Sequence, residues 1–452
     1  MALRRLAQAV KASSPLVQQN LVRSVTSSSS ASSRLATASA AAKGQQLSSQ
    51  DIFEREDKYG AHNYHPLPVA LAKGKGVYVW DVEGKQYYDF LSAYSAVNQG
   101  HCHPRIVATL QAQAEILTLT SRAFYNNVLG EFEEYITKLF GYEKFLPMNT
   151  GVEACESAVK VARRWAYDVK GVPENQAKVL FVEDNFWGRS LAAVSASTDP
   201  SSYKGFGPFM PGFETIPYND LAALEEKFVK EAGTIAAFMC EPIQGEAGVV
   251  VPRAGYLQGV RQLCTKYNVL WIDDEVQTGI GRTGKMLAVD HESVRPDIIC
   301  LGKALSGGVY PVSGILADDR VMLVIKPGEH GSTYGGNPLG MKVALTALDV
   351  VLEEKLAENA EAMGRLFREQ LTERLSKEVA LTVRGRGLLN AIVVREQFDA
   401  WQICLRLRDA GLLAKPTHGD KIRFAPPLTI NEAQMAESVD IIVATLNGMK
   451  RA

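Results

Sequence analysis

The stretch that most constrains this chain is residues 268–308, NVLWIDDEVQTGIGRTGKMLAVDHESVRPDIICLGKALSGG. It holds two short, largely apolar runs, Val269-Leu270-Trp271-Ile272 and Asp297-Ile298-Ile299-Cys300-Leu301. The first closes on Asp273-Asp274-Glu275-Val276-Gln277 and the second on Gly302-Lys303-Ala304. Short apolar runs bounded by turn residues suit strands buried on both faces of a parallel sheet. In such sheets ligands bind beyond the carboxyl ends of the strands. A carboxylate on one strand end and a lysine on another are therefore expected over one crevice.

The flanking sequence fits that sheet. Asn149-Thr150-Gly151-Val152 leads into an apolar-periodic helix through Trp165. Lys178–Glu183 and Ile235–Pro242 read as strands. Strands alternating with helices predict a three-layer α/β domain. Residues 75–90 alternate apolar and polar around Glu83-Gly84, which predicts a hairpin. From about residue 340 the texture changes: one long helical pattern from Leu339 to about Leu375, strands within 379–394 and 422–424, and a helix over 431–450. We therefore expect an N-terminal segment over 49–95, a large α/β domain over 96–340 and a smaller α+β domain over 341–452.

Composition excludes several classes. A net charge of −1 gives no footing for nucleic acid, and no apolar run reaches the ~18–20 residues that cross a bilayer. The six cysteines (102, 155, 240, 264, 300, 404) show no metal-ligand spacing and are expected as reduced, packed thiols. His101-Cys102-His103 is no metal site either, because three adjacent residues do not easily converge on one ion. The first fifty residues stand apart. They lack Asp and Glu, are rich in Ser and Ala, and carry Arg4, Arg5, Lys11, Arg23, Arg34 and Lys43. That is the composition of an organellar transit peptide.

A lysine amine and a carboxylate facing one crevice suit pyridoxal phosphate. The lysine can bond the aldehyde, and the carboxylate can keep the pyridine nitrogen protonated. Asp-Glu-Val-Gln-Thr-Gly-Ile-Gly-Arg-Thr-Gly followed by Arg-Pro-Asp-Ile and Gly-Lys-Ala-Leu-Ser-Gly-Gly strongly resembles the class III, fold-type I pyridoxal-phosphate aminotransferases. The resemblance runs from about Asp51 to the C-terminus and is greatest for the ornithine-using members.

The resemblance implies a role for each matching residue. Lys303 and Asp274 would be catalytic, Lys303 bonding the cofactor and moving the substrate proton, and Asp274 pairing with the pyridine nitrogen. Gly151 and Val152 would cradle the phosphate, Phe186 would stack on the ring and Gln277 would reach the phenolic oxygen. Thr333 would reach the phosphate from a neighbouring subunit, so a homodimer or an assembly of dimers is implied. Arg189 and Arg423 would clamp carboxylates, a task suited to a guanidinium fork. Tyr64 and Tyr94 would shape the ornithine pocket, and Glu246 would pair with Arg423. With this resemblance, residues 1–48 are expected to be a mitochondrial transit peptide and the matrix its destination.

The implied reaction moves the δ-amino group of ornithine to 2-oxoglutarate. It yields glutamate and glutamate 5-semialdehyde, which cyclises to pyrroline-5-carboxylate. Two rivals are a related aminotransferase for acetylornithine or 4-aminobutyrate, and a pyridoxal-phosphate-carrying protein without turnover. Tyr64 with Tyr94 argues against the first, and the set Lys303, Asp274, Arg189 and Arg423 against the second.

Overall fold

The computed structural model describes residues 47–449; the basic leader lies outside the described residues. The chain divides into two compact units at Ala70/Leu71. In the first, the helix Ser49–Tyr59 opens with a capping box, Ser48 and Asp51 each satisfying the other's backbone N–H. Tyr64 follows it outside any helix or strand and is 70% exposed.

The second unit is built on a seven-stranded sheet. Its strands are β4 (Lys144–Met148), β5 (Lys178–Val182), β6 (Phe213–Ile216), β7 (Ile235–Cys240), β8 (Leu270–Asp274), β9 (Ile298–Leu301) and β10 (Ser313–Ala317), in the order β4-β10-β9-β8-β7-β5-β6. All neighbours from β9 to β6 pair parallel, and β10 pairs antiparallel on both its sides. The central strands are buried at every position, which is why they read as continuous apolar runs.

Strand alternation separates two adjacent acids. Leu270 and Ile272 share a core with Ala154, Cys155 and Ala158 of the helix Gly151–Trp165. Asp274 continues that face, whereas Asp273 points to the other. Asp273 is 0% exposed, and neither of its carboxylate oxygens has a hydrogen-bond partner. Burial first, and then the charges of Glu275 and Asp274, push its carboxyl well above the usual range. Because the folded value is raised, folding tolerates this group best below the unfolded carboxylate pKa of about 3.9, and its cost grows as pH rises above that. Asp273→Ala is expected to raise stability by about 1–3 kcal/mol. The gain in a denaturation series should be larger at pH 8 than at pH 5; equal or lower stability across that range would contradict it.

Two four-stranded sheets complete the unit. One holds β1 (Leu71–Lys75), β2 (Tyr78–Asp81), β3 (Gln86–Asp89) and β13 (Leu412–Leu413); the other holds β11 (Ala380–Arg386), β12 (Leu389–Val394), β14 (Lys415–Thr417) and β15 (Lys421–Phe424). The expected hairpin is present as β2 and β3. Its outer partner, β13, comes from over 300 residues later in the chain and pairs parallel, Leu412 against Tyr88.

The long helical pattern after residue 338 is two helices, Pro338–Glu353 and Leu356–Arg374. Lys355 breaks it with φ +52°, a left-handed residue that no right-handed helix can contain. All six cysteines are free, but Cys102 is exposed and so departs from the expectation of packed thiols.

Candidate active site

Asp274 ends β8, and Lys303 stands two residues past the end of the neighbouring β9. Both line a cavity of about 220 Å³ with Gly151, Val152, Phe186 and Gln277. Glu246 lines it too. The six positions expected to hold the cofactor come from four separate loops, all at one end of the sheet.

Lys303 carries a positive φ of +41° directly after Gly302. A left-handed non-glycine residue stores about 1–3 kcal/mol of strain and persists where the surroundings hold it. Burial pushes its ammonium pKa down, against the opposing charges of Glu246, Asp274 and Glu241. The amine is thereby readier to lose its proton and act as nucleophile or base.

Asp274 is 4% exposed. Its Oδ1 accepts the Val276 N–H (3.0 Å) and its Oδ2 accepts from Cys155 Sγ (3.5 Å). Burial pushes the carboxyl up, and these hydrogen bonds with the charge of Lys303 pull against it. Gln277 has a buried Oε1 without a partner. Gln277 packs directly on Gly245, where any Cβ would occupy the space of that amide oxygen.

The helix Gly151–Trp165 starts at the cavity. Glu153 accepts from Thr150 through its N–H (2.7 Å) and its hydroxyl (2.9 Å). Burial would raise the Glu153 carboxyl, but these bonds hold it below the usual range. The N–H groups of Gly151 and Val152 belong to the turn that a helix leaves without intrahelical acceptors. A Cβ at Gly151 would lie 2.7 Å from Val276 Cγ1, so only glycine lets the helix start this close to the Asp274 loop.

Beside this cavity is another of about 290 Å³, which shares Phe186 and Glu246 and adds Arg189, Thr417 and His418. Arg189 is exposed; its Cζ lies 5.6 Å from the Phe186 ring centre, and its Nη1 lies 3.4 Å from Ser202 Oγ. Arg423, on β15, is 4% exposed and donates from Nη1 to Glu246 Oε1 at 2.6 Å. Burial alone would raise the Glu246 carboxyl; Arg423 holds it below the usual range. The Arg423 guanidinium also lies 4.9 Å from the Tyr94 ring centre. Tyr94 is held there by four successive left-handed residues, Ser92 to Ser95, with φ from +46° to +74°.

The structure thus brings together Gly151, Val152, Phe186, Asp274, Gln277, Lys303, Glu246, Arg423 and Tyr94, with Arg189 in the adjoining cavity. Thr333 is different. Asn149 Nδ2 donates to Ser332 Oγ (2.8 Å), which pins that loop, but Thr333 itself is exposed and lies outside the cavity.

Trp187, Gly188, Val276 and Glu241 also line the cavity and were not singled out from sequence. Glu241 follows the end of β7 and accepts from the backbone N–H groups of Gly245 (2.9 Å) and Phe186 (3.2 Å). Burial, reinforced by the charge of Asp274, pushes its carboxyl up to about 8. Its place at a strand's carboxyl end was the available signal. Arg282, in the Gly-Arg-Thr-Gly stretch, proves structural. It is fully buried and donates from Nη1 to the carbonyls of Leu388 (2.9 Å) and Pro426 (2.6 Å). Burial lowers its pKa to about 9.

This donor set fits pyridoxal phosphate. It offers a buried amine for the aldehyde, a buried carboxylate hydrogen-bonded only by neutral groups for the pyridine nitrogen, a side-chain amide for a ring oxygen and a helix start for a dianion.

The family model for "Aminotransferase class-III" matches residues 59–446. The chain belongs to the class-III aminotransferases. Pyridoxal phosphate is the cofactor of this family. The mitochondrial ornithine aminotransferase of Drosophila melanogaster is 69% identical over 401 residues, covering 89% of this chain and 92% of the relative. A solved ornithine aminotransferase from Toxoplasma gondii, with partial occupancy of pyridoxal phosphate at its active site, is 48% identical with a TM-score of 0.89; the match covers 91% of this chain and 97% of that one. An acetylornithine aminotransferase from Elizabethkingia anophelis is 57% identical with a TM-score of 0.81, covering 88% and 98%. The class III, fold-type I architecture expected from the sequence is the observed one.

Proposed function

We propose that this aminotransferase moves the δ-amino group of ornithine to 2-oxoglutarate, leaving glutamate 5-semialdehyde and glutamate. The closed Glu246–Arg423 pair beside Lys303 carries this reading. An ornithine enzyme must accept an amine remote from a carboxylate in one half-reaction and the α-amine of glutamate in the other. A guanidinium that can be masked serves both needs.

Bound pyridoxal phosphate supplies an aldehyde that takes the amino group and a ring that withdraws electrons. Lys303 Nζ, its pKa lowered by burial, takes the proton from the substrate's δ carbon and returns it on the far side of the transfer. Asp274 keeps the proton on the pyridine nitrogen, and the Gly151 and Val152 N–H groups hold the phosphate. Phe186 covers a ring face and Gln277 bonds the phenolic oxygen. Arg189 receives the α-carboxylate of ornithine, and Tyr94 walls the pocket over Arg423. In the second half-reaction Glu246 releases Arg423 to the α-carboxylate of 2-oxoglutarate, while Arg189 takes the distal one.

The relatives' names support ornithine. The sequence resemblance at Tyr64 and Tyr94 favours it over acetylornithine or 4-aminobutyrate, which lack the free α-amino group. A panel of amine donors with 2-oxoglutarate tests the assignment: ornithine should give the highest kcat/KM, and faster turnover of acetylornithine or 4-aminobutyrate would overturn it. We place the enzyme in the mitochondrial matrix, on the basic Ser/Ala leader and on the relative's name.

The exposed Thr333 supports a homodimer with composite sites. Thr333→Ala is expected to loosen pyridoxal phosphate. Mixed dimers of Thr333→Ala and Lys303→Ala chains should regain one intact site of two; absence of complementation would contradict a cross-subunit Thr333.

A further inference from the structure

We propose that the Cys155 thiol is a positioning residue that keeps Asp274 ionised for the cofactor's pyridine nitrogen. This inference rests on the pyridoxal-phosphate reading of the cavity.

Cys155 stands one helical turn after Gly151, on the same face of the helix. One face of one helix thus offers N–H groups for the phosphate at its start and, a turn later, a thiol for the carboxylate. Sγ donates to Asp274 Oδ2 at 3.5 Å, while Val276 N–H serves Oδ1. Among the described residues the thiol is the hydrogen-bond donor to Oδ2. Cys155 is itself buried and lines the cavity.

The chemistry favours a donor here. A buried carboxylate that loses a hydrogen bond becomes a stronger base. It then holds a proton itself and leaves the pyridine nitrogen unprotonated, and an unprotonated pyridine is a poorer electron sink. The thiol remains a donor because burial pushes its pKa well above the usual value, so it does not ionise beside Asp274. Its other neighbour is Cys300 of β9, also buried and also held as a thiol. The groups facing Asp274 are therefore Cys155 on the helix, Val276 in its own loop, Lys303 beyond β9 and Glu241 beyond β7.

The test compares wild type, Cys155→Ala and Cys155→Ser, each stripped of cofactor and titrated with pyridoxal phosphate. The protonation of a ¹⁵N-labelled pyridine nitrogen is followed by NMR. Stoichiometric binding by the wild type comes first; its failure would reject the cofactor reading itself and is seen before any variant is compared. Cys155→Ala should loosen the cofactor about 2–10-fold, the range of one ordinary hydrogen bond, since the S–H is a weak donor. It should also move the ¹⁵N shift toward unprotonated pyridine. Cys155→Ser, which restores a donor but not the sulfur's volume, should return both readouts to wild type. If the two variants shift together, the residue acts only by packing and the proposal fails. It fails equally if neither differs from wild type. Thermal melts of the three cofactor-free proteins confirm that all are folded.

Discussion

Lys303→Ala should cost turnover at least about 10²–10⁴-fold with every amine donor, the range of a positioned general base, and the loss of covalent attachment adds to it. The residue stands past the end of β9 in a left-handed conformation, with its amine buried beside Glu246, Asp274 and Glu241. No other lysine lines the cavity among the described residues, so no neighbour is placed to substitute. Borohydride reduction of the loaded wild type should fix the cofactor's mass on the peptide carrying Lys303, and the variant should show no such adduct. The phosphate cradle is untouched, so the variant should still bind pyridoxal phosphate reversibly. Multiple turnovers at wild-type rate, or an adduct on another lysine, would remove Lys303 from this role.

Glu246→Ala should speed the half-reaction with glutamate and erode selectivity for the δ-amine. The Glu246–Arg423 contact of 2.6 Å joins a nearly inaccessible guanidinium to a partly buried carboxylate. Removing one partner of a desolvated pair is worth ~2–5 kcal/mol, and ~1.4 kcal/mol is a factor of ten. The released Arg423 would then attract ornithine's α-carboxylate and bring the wrong amine to the reacting carbon. The ratio of the ornithine to the glutamate half-reaction should fall by one or more decades in stopped-flow absorbance, with product of α-transamination from ornithine. An unchanged ratio without α-product would mean that the pair does not gate the site.

Glu246 and Arg423 show how much of this site was legible in the chain. The pairing crosses 177 residues. Both residues were named through a family resemblance, since a lone arginine in Lys-Ile-Arg-Phe is otherwise one more charged residue on a strand. Glu241 shows the opposite case. Its position at the carboxyl end of a buried strand was visible, but its burial and its bonds to Phe186 and Gly245 depend on how two loops converge. The break at Lys355 was missed because the apolar spacing continues across it, while the change of direction sits in a single backbone angle.

The sequence by itself determined the class of fold and the chemistry. Continuous apolar runs ending in Asp274 and beside Lys303 can be buried only as central strands, and such strands present their carboxyl ends to one crevice. Only the tertiary structure decided which groups share that crevice and in what charge state. Strand alternation turned Asp274 toward the Gly151–Trp165 helix and its neighbour Asp273 into a partnerless interior. A left-handed turn at residues 92–95 set Tyr94 against Arg423, and β13 closed on β3 from the far end of the chain. The reason is physical. Periodicity records whether a residue is buried, whereas ionisation depends on which charges and dipoles lie within a few ångströms, and those come from segments that only packing brings together.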